Sequence, residues 1–374
     1  MTSEELIGLD RESVLFLLNR HEGIGDVVLA TGAILGLAKF FPDTRFTVVV
    51  SERNQYIFDH FPENVEIVSF ENPYFADASA SDFQKVKAFF KSRWLSVAKN
   101  ILQLRRRHFK LAVGVREGTT DFLLMRMYGA QNRMGFPTER GEGLLTHPVE
   151  KDIPAIHMAA RWQKIYTTLT GDSSIVRPTI IPRKSDMQKL LEELSGHEKW
   201  DVGLPTLLVH TGASTPLRKW EISNFCKAVL ELKGHKSFNT IWFCQEDEAS
   251  TVADLIGKGE IVFDFSHPLG FLIAAIQISD VFLGNDSGPM HIAAACDKAV
   301  VAVFGPTLPE LYGPYSDKSL VVNENVCKYH PCHDNCKFST PICMASVAVA
   351  NVSRALQGAL DRASSERAKR LDWM

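Results

Sequence analysis

No apolar run in the 374-residue chain approaches the roughly 18 residues a membrane-spanning helix needs. Neither charge sign dominates: the formal net charge is −3, which gives no global pull toward nucleic acid or anionic lipid. The opening stretch, MTSEELIGLDRE, lacks the basic and apolar regions of a secretory leader. A cytoplasmic location is therefore expected, with thiols kept reduced. No fixed-period repeat is visible. Cysteine is sparse over most of the chain, at Cys226, Cys244 and Cys296; the other four, Cys327, Cys332, Cys336 and Cys343, fall together. In a reducing compartment such a cluster points to metal more than to disulfides.

What is present is the composition of a folded globular protein, 45% hydrophobic and 23% charged. The length exceeds one ordinary core and suits two domains. Short apolar runs alternate with amphipathic stretches, the βαβ pattern of a parallel sheet. Strands are expected at 14–18, 45–50, 65–69 and 111–115, with helices at 27–40, 83–108, 120–129 and 155–169. Asp172, Ser173, Ser174, Pro178 and Pro182 then mark a change of composition. Beyond it strands are expected at 206–210, 240–244, 260–263, 280–284 and 299–304. Helices are expected at 221–233, 246–257, 268–278, 288–296 and 345–372. We read two doubly wound α/β domains, 1–178 and 179–344, facing across a cleft. The C-terminal segment 345–374 is expected to pack back on the first domain.

Segment 83–108 carries Lys85, Lys87, Lys91, Arg93, Lys99, Arg105, Arg106 and Arg107, with Phe89, Phe90 and Trp94 between them. The plainer reading is a solvated face over a packed stripe. The functional reading is a surface for an anionic, membrane-borne acceptor.

In doubly wound sheets ligands bind beyond the carboxyl ends of the strands, where four motifs fall. Gly23-Ile24-Gly25-Asp26 follows the first strand. Its glycines permit a tight turn and close approach to a ligand, and Asp26 is either a plain helix cap or a general base. His210-Thr211-Gly212-Ala213-Ser214 ends a strand and leads to Arg218-Lys219-Trp220. Small residues and hydroxyls there suit a phosphate, and the two cations suit a leaving diphosphate; an ordinary Ser/Thr turn is the alternative. Gly284-Asn285-Asp286-Ser287-Gly288-Pro289-Met290-His291 opens a helix whose N–H groups and positive dipole end form a ready diphosphate site. Pro289 fits the first turn, where its missing N–H costs nothing, and His291 is either a diphosphate contact or a satisfied buried imidazole. Phe304-Gly305-Pro306-Thr307 reads equally as a rim loop or a structural turn.

The run GNDSGPMHIAAACDKAVVAVFGPTLPELYGPY resembles the signature of glycosyltransferase family 9, the bacterial heptosyltransferases. GIGDVVLATGAILGLAKFFPDTRFTVVV and HTGASTPLRKW resemble that family's N-terminal and donor segments, in the right order. The resemblance implies the GT-B fold: two Rossmann-like domains, acceptor on the first and nucleotide sugar on the second. It implies transfer of heptose from ADP-heptose with inversion and no catalytic metal. Asp26 becomes the catalytic aspartate, with Gly23 and Gly25 on the acceptor side. Asp286, Ser287, Gly288, Pro289, Met290 and His291 become donor contacts, with Thr211, Gly212 and Ser214. The phosphate-binding cation falls on Arg218 or Lys219. The ribose-binding acid is one of Glu246, Asp247 and Glu248, with Glu246 slightly favoured.

The acceptor implied is lipopolysaccharide inner core or, in a protein-modifying branch that holds iron, an autotransporter serine. A catalytically idle nucleotide-sugar-binding protein and a sugar-nucleotide epimerase are further readings on the same fold. The four clustered cysteines suit a structural Zn or Fe site, with His330 and His333 as spare ligands, placed away from the donor strand ends. No nucleic-acid partner is expected. Peripheral contact with the inner membrane and assembly into an oligomer stay open.

Overall fold

Strands buried on both faces must be apolar throughout, because each face of a parallel sheet is covered by helices. The runs VLFLL, TLLVH and AVVAVF meet that demand, and all three lie in the two sheets of the computed structural model. The structure describes residue 9 and residues 12–18, 23–69, 94–115, 119–138, 141–150, 157–257, 260–332 and 335–371. The chain divides into two units, Met1–Pro178 and Thr179–Met374.

The first unit runs β1 (Ser13–Leu18), α1 (Ile24–Phe40), β2 (Arg45–Val50), β3 (Val65–Ser69), α2 (Trp94–Arg105), β4 (Leu111–Gly114), α3 (Thr119–Met127), β5 (Asn132–Gly135), β6 (His147–Pro148) and α4 (Met158–Thr170). Its sheet has the order β3-β2-β1-β4-β5-β6, parallel throughout. Val14 pairs with Phe46 on one side and Leu111 on the other. The strand order therefore reverses between β1 and β4, the crevice where doubly wound sheets take ligands. Helix α1 is apolar nearly all round, as a helix buried in a core must be.

The second unit runs α5 (Lys184–Ser195), β7 (Thr206–His210), α6 (Ile222–Lys233), β8 (Asn239–Cys244), α7 (Glu246–Leu255), β9 (Ile261–Asp264), α8 (Leu269–Ile278), β10 (Val281–Asn285), α9 (Gly288–Ala295), β11 (Ala299–Phe304), α10 (Pro309–Tyr312), β12 (Ser319–Asn323), α11 (Ile342–Ala345) and α12 (Val349–Leu371). Its sheet order, β12-β11-β10-β7-β8-β9, repeats the topology of the first, with the reversal between β7 and β10. His210 pairs with Gly284 across it.

Helix α12 packs within the second unit. Val352, Leu356, Ala359, Leu360 and Ala363 form one apolar stripe buried in the second unit's own core, against α6 and strands β10 to β12. That stripe follows the spacing of one helix face. The basic stretch is helical over Trp94–Arg105, so residues 106–108 of the expected helix lie beyond its end, and 83–93 lie outside the described residues. Among its cations, Arg107 is engaged by both oxygens of Glu66 at 2.6 and 2.7 Å, while Lys99, Arg105 and Arg106 are exposed. Cys226, Cys244 and Cys296 are core residues. Burial pushes their thiols up to about 11, 12 and 12, which leaves them unreactive.

Candidate active site

In the first unit the site begins where β1 gives way to α1. Gly23 is the N-cap of α1, with φ −57 and ψ 157 and no side-chain cap bond. Any residue adopts that backbone conformation, so the φ of Gly23 does not itself require glycine, and residues 19–22 of the expected turn lie outside the described residues. A Cβ there would meet nothing within 4 Å, so the space beside Gly23 is open among the described residues. Gly25 is buried within the helix. Asp26 is the acidic residue of the first turn, its N–H donating to the Gly23 carbonyl at 3.1 Å. Its carboxylate stands at the positive end of the helix.

The second unit gathers its site at the carboxyl ends of β7, β10 and β11. Asn285, the last residue of β10, fixes the loop after β7 at two points. Its Nδ2 donates to the Thr211 carbonyl at 2.8 Å, and its Oδ1 accepts from the Trp220 N–H at 3.0 Å. The Trp220 ring is buried edge-on to Phe225, centroids 5.0 Å apart. Within this loop Gly212 admits no side chain: a Cβ would lie 2.7 Å from His210 and 2.9 Å from Phe265.

The two candidate cations diverge. Arg218 Nη1 donates to Asp286 Oδ2 at 3.2 Å. Lys219 Nζ reaches Glu248 Oε1 at 2.6 Å and Gln245 Oε1 at 2.7 Å, away from Asp286. Arg218 therefore belongs with the β10 loop and Lys219 with the start of α7. Thr307, which the sequence placed only in a rim loop or structural turn, is a second partner of Asp286: its Oγ1 donates to the same Oδ2 at 2.6 Å. Asp286 and Thr307 are both buried. A charge-assisted bond of that length is among the strong ones.

Beside this trio α9 begins. Ser287 is its N-cap and makes no side-chain cap bond, and proline stands in the first turn. The first N–H groups of a helix have no intrahelical partner and attract anions. Ser287 and Gly288 are half-buried at this edge, whereas Pro289, Met290 and His291 are buried. Ser214 is exposed.

Among the three acidic candidates at the start of α7, Glu246 and Asp247 are exposed and Glu248 is buried. Glu248 is the second half of a capping box with Gln245. Its Oε2 accepts from Thr211 Oγ1 at 2.7 Å and from the Gln245 N–H at 3.0 Å. Burial pushes its carboxyl up, but Lys219, Thr211 and the Gln245 amide outweigh burial and hold it below the ordinary value. The Thr211 hydroxyl and the Glu248 carboxylate are thus bound to each other. His210 is also buried, stacked on Phe265 with centroids 5.0 Å apart. Burial pushes its imidazole down to about 4, so it is neutral near pH 7.

The cysteine cluster does not stand away from the donor strand ends, as the sequence suggested. Cys332 N–H donates to the Pro306 carbonyl at 3.1 Å, and His330 Nε2 lies 3.2 Å from the Thr307 carbonyl oxygen. A side chain on Gly305 would collide with Met344 and Cys343. The cluster is therefore packed on the loop that carries Thr307. Burial raises the Cys332 thiol, and Cys336 and Cys327 raise it further. Burial likewise raises Cys343, with Cys332 and Cys327 adding to it. Among the described residues no group of three or more His, Cys, Asp or Glu is arranged to hold a metal. His333 lies outside the described residues.

Two Rossmann-like units of the same topology make the GT-B fold. The profile of glycosyltransferase family 9 (heptosyltransferase) matches residues 70–340, and the chain belongs to that family. Lipopolysaccharide heptosyltransferase 3 of Escherichia coli is 23% identical over 314 residues, covering 79% of this chain and 85% of its own. A family 9 glycosyl transferase from Veillonella parvula shares the fold with TM-score 0.76 at 20% identity, over 95% of this chain and 98% of its own. The E. coli ADP-heptose lps heptosyltransferase II does so with TM-score 0.70 at 16% identity, over 94% and 99%.

Proposed function

We propose that this enzyme moves heptose from ADP-heptose to a hydroxyl of a lipopolysaccharide inner-core acceptor, inverting the anomeric carbon without a catalytic metal. The relatives' names supply heptose, ADP and lipopolysaccharide. The observation that carries the reading is the Arg218–Asp286–Thr307 network beside the uncapped start of α9. A diphosphate fits such a place, because N–H groups and a guanidinium meet its oxygens there.

In this reading the diphosphate rests on the first turn of α9, at Ser287 and Gly288, with Arg218 neutralising its charge. Pro289, Met290 and His291 shape that turn from within. Gly212 and Ser214 form the opposite wall. Glu246, exposed at the start of α7, takes the ribose. The acceptor oxygen attacks the anomeric carbon and forms the new C–O bond. The bond from that carbon to the β-phosphate oxygen breaks, and ADP leaves with the electron pair. Asp26 receives the acceptor's proton. Because an ordinary carboxylate is a weak base, the proton moves as bonding to carbon develops. Stabilising the leaving diphosphate is the larger demand, met by Arg218 and the helix start.

A structural Zn or Fe on Cys327, Cys332, Cys336 and Cys343 is part of the proposal; it is supported by their clustering in the sequence, while the described residues form no ready-made metal-holding group. Metal analysis of the purified protein tests it: about one ion per chain, lost on replacing Cys332 and Cys336 by serine, is expected, and no bound metal contradicts it. The exposed cations Lys99, Arg105 and Arg106 suit a phosphorylated acceptor at the cytoplasmic face of the inner membrane.

The functional test is transfer from ADP-heptose to two acceptors in parallel, a heptose-deficient lipopolysaccharide core and an autotransporter passenger fragment. Transfer to the core alone is expected. Transfer to the passenger alone would move the enzyme to the protein-modifying branch, and binding of ADP-heptose without transfer to either would point to a different acceptor or an idle binding protein. Arg218→Ala is expected to weaken ADP binding at least tenfold, the loss of one charged hydrogen-bonding partner; unchanged affinity would overturn the donor assignment.

A further inference from the structure

We propose that Thr307 is a positioning residue for donor binding, and that the cysteine-bearing segment around His330 exists in part to hold it. The inference rests on the reading that Arg218 binds the donor diphosphate.

Asp286 Oδ2 carries two donors, Thr307 Oγ1 at 2.6 Å and Arg218 Nη1 at 3.2 Å. The two are not equivalent. Thr307 is 1% exposed and its bond is short, whereas the Arg218 side chain is 20% exposed and its bond is longer. The hydroxyl therefore holds Oδ2 in place, and Oδ2 in turn holds the guanidinium. A planar fork binds phosphate well only when its orientation is set. Without the hydroxyl, Oδ2 loses its shorter, buried bond, and the guanidinium loses a partner held in place.

Thr307 sits in the turn after β11, where side-chain position is not set by the sheet. The turn is held from behind. The Cys332 N–H donates to the Pro306 carbonyl, and the His330 imidazole donates through Nε2 to the Thr307 carbonyl. Met344 and Cys343 fill the space that a side chain at Gly305 would need. These contacts join the cysteine-bearing segment to the donor site through Thr307, two residues beyond that glycine.

The test is ADP binding by calorimetry and transfer kinetics with ADP-heptose. Thr307→Val keeps the shape and removes the hydroxyl. It is expected to raise the Kd for ADP and the KM for ADP-heptose by roughly tenfold or more, as loss of a hydrogen bond to a charged group does, with the acceptor KM unchanged. Thr307→Ser restores the hydroxyl and is expected to recover most of the affinity. His330→Phe is expected to weaken ADP in the same direction, by less. The double variant Thr307→Val/Arg218→Ala is expected to bind ADP no worse than Arg218→Ala alone, since both act through one guanidinium. Additive losses would overturn the inference, as would equal loss in the valine and serine variants. Wild-type ADP binding in Thr307→Val with weakened binding in Arg218→Ala would sink the inference alone. Wild-type binding in Arg218→Ala would remove the donor reading beneath it.

Discussion

Glu248 and His210 are both buried beside the donor loop, and they tolerate burial in opposite ways. Glu248 stays ionised because Lys219, Thr211 and a backbone amide surround it. His210 stays neutral between aromatic faces. Both make the second unit sensitive to acid. The carboxyl of Glu248 is held below its ordinary value, so its contribution is present above that value and is lost as pH falls through the folded one. The imidazole of His210 takes its proton near 6.5 when unfolded but only near 4 when folded, so stability falls as pH drops between those values. His210→Phe is expected to shift the acid-unfolding midpoint to lower pH; an unmoved midpoint would show that the buried imidazole has no part in acid unfolding. Glu248→Gln leaves Lys219 without its counter-charge and is expected to cost about 1–3 kcal/mol in urea unfolding at pH 7, toward the lower end because Lys219 is partly exposed. The sequence did contain a signal for Glu248. Glu248 stands at the third helical position after the N-cap Gln245, where a Glu reaches back to the cap amide, and that position separates it from Glu246 and Asp247. Thr307 was legible only as part of a rim loop or structural turn after a strand. Its partner Asp286 lies on another strand's loop, and only the sheet order brings the two together.

At the level of elements, the strands that bear the site were legible because a doubly covered parallel strand must read as a continuous apolar run. Observed ends differ from the expected ones by a residue or so at β1, β8 and β9, the usual looseness of element boundaries. Helix α5 was missed. Its amphipathic run, KSDMQKLLEELS, follows the prolines that read as linker. β5 and β6 were missed because four and two residues with polar members carry no periodicity. Segment 345–374 was expected to be helical, but its packing partner cannot be read from one apolar stripe. In the structure that stripe completes the second unit's core. Leu356→Ala, at a fully buried position, is expected to destabilise this unit by about 2–5 kcal/mol. Calorimetric or urea unfolding checks this, and an unchanged transition would mean that α12 is not part of the cooperative core.

Considered whole, the chain uses one topology twice. Each unit has a six-stranded parallel sheet with the same strand order and the same point of reversal. Candidate residues then fall where that topology leaves strand ends open. Asp26 follows β1 in the first unit; Arg218 and Asp286 follow β7 and β10 in the second. The motifs were legible as exceptions to the apolar pattern, clustered after strands. The pairings among them were not, because they join loops far apart in sequence. The account divides labour between the units: donor binding in the second, proton acceptance by Asp26 in the first. The most direct measurement is transfer from ADP-heptose by the Asp26→Ala enzyme, with ADP affinity measured on the same preparation. The account predicts transfer reduced by about 10²–10⁴-fold, the range for losing a general base, with ADP affinity within about twofold of wild type. Transfer at the wild-type rate, or loss of ADP binding in step with transfer, would contradict it.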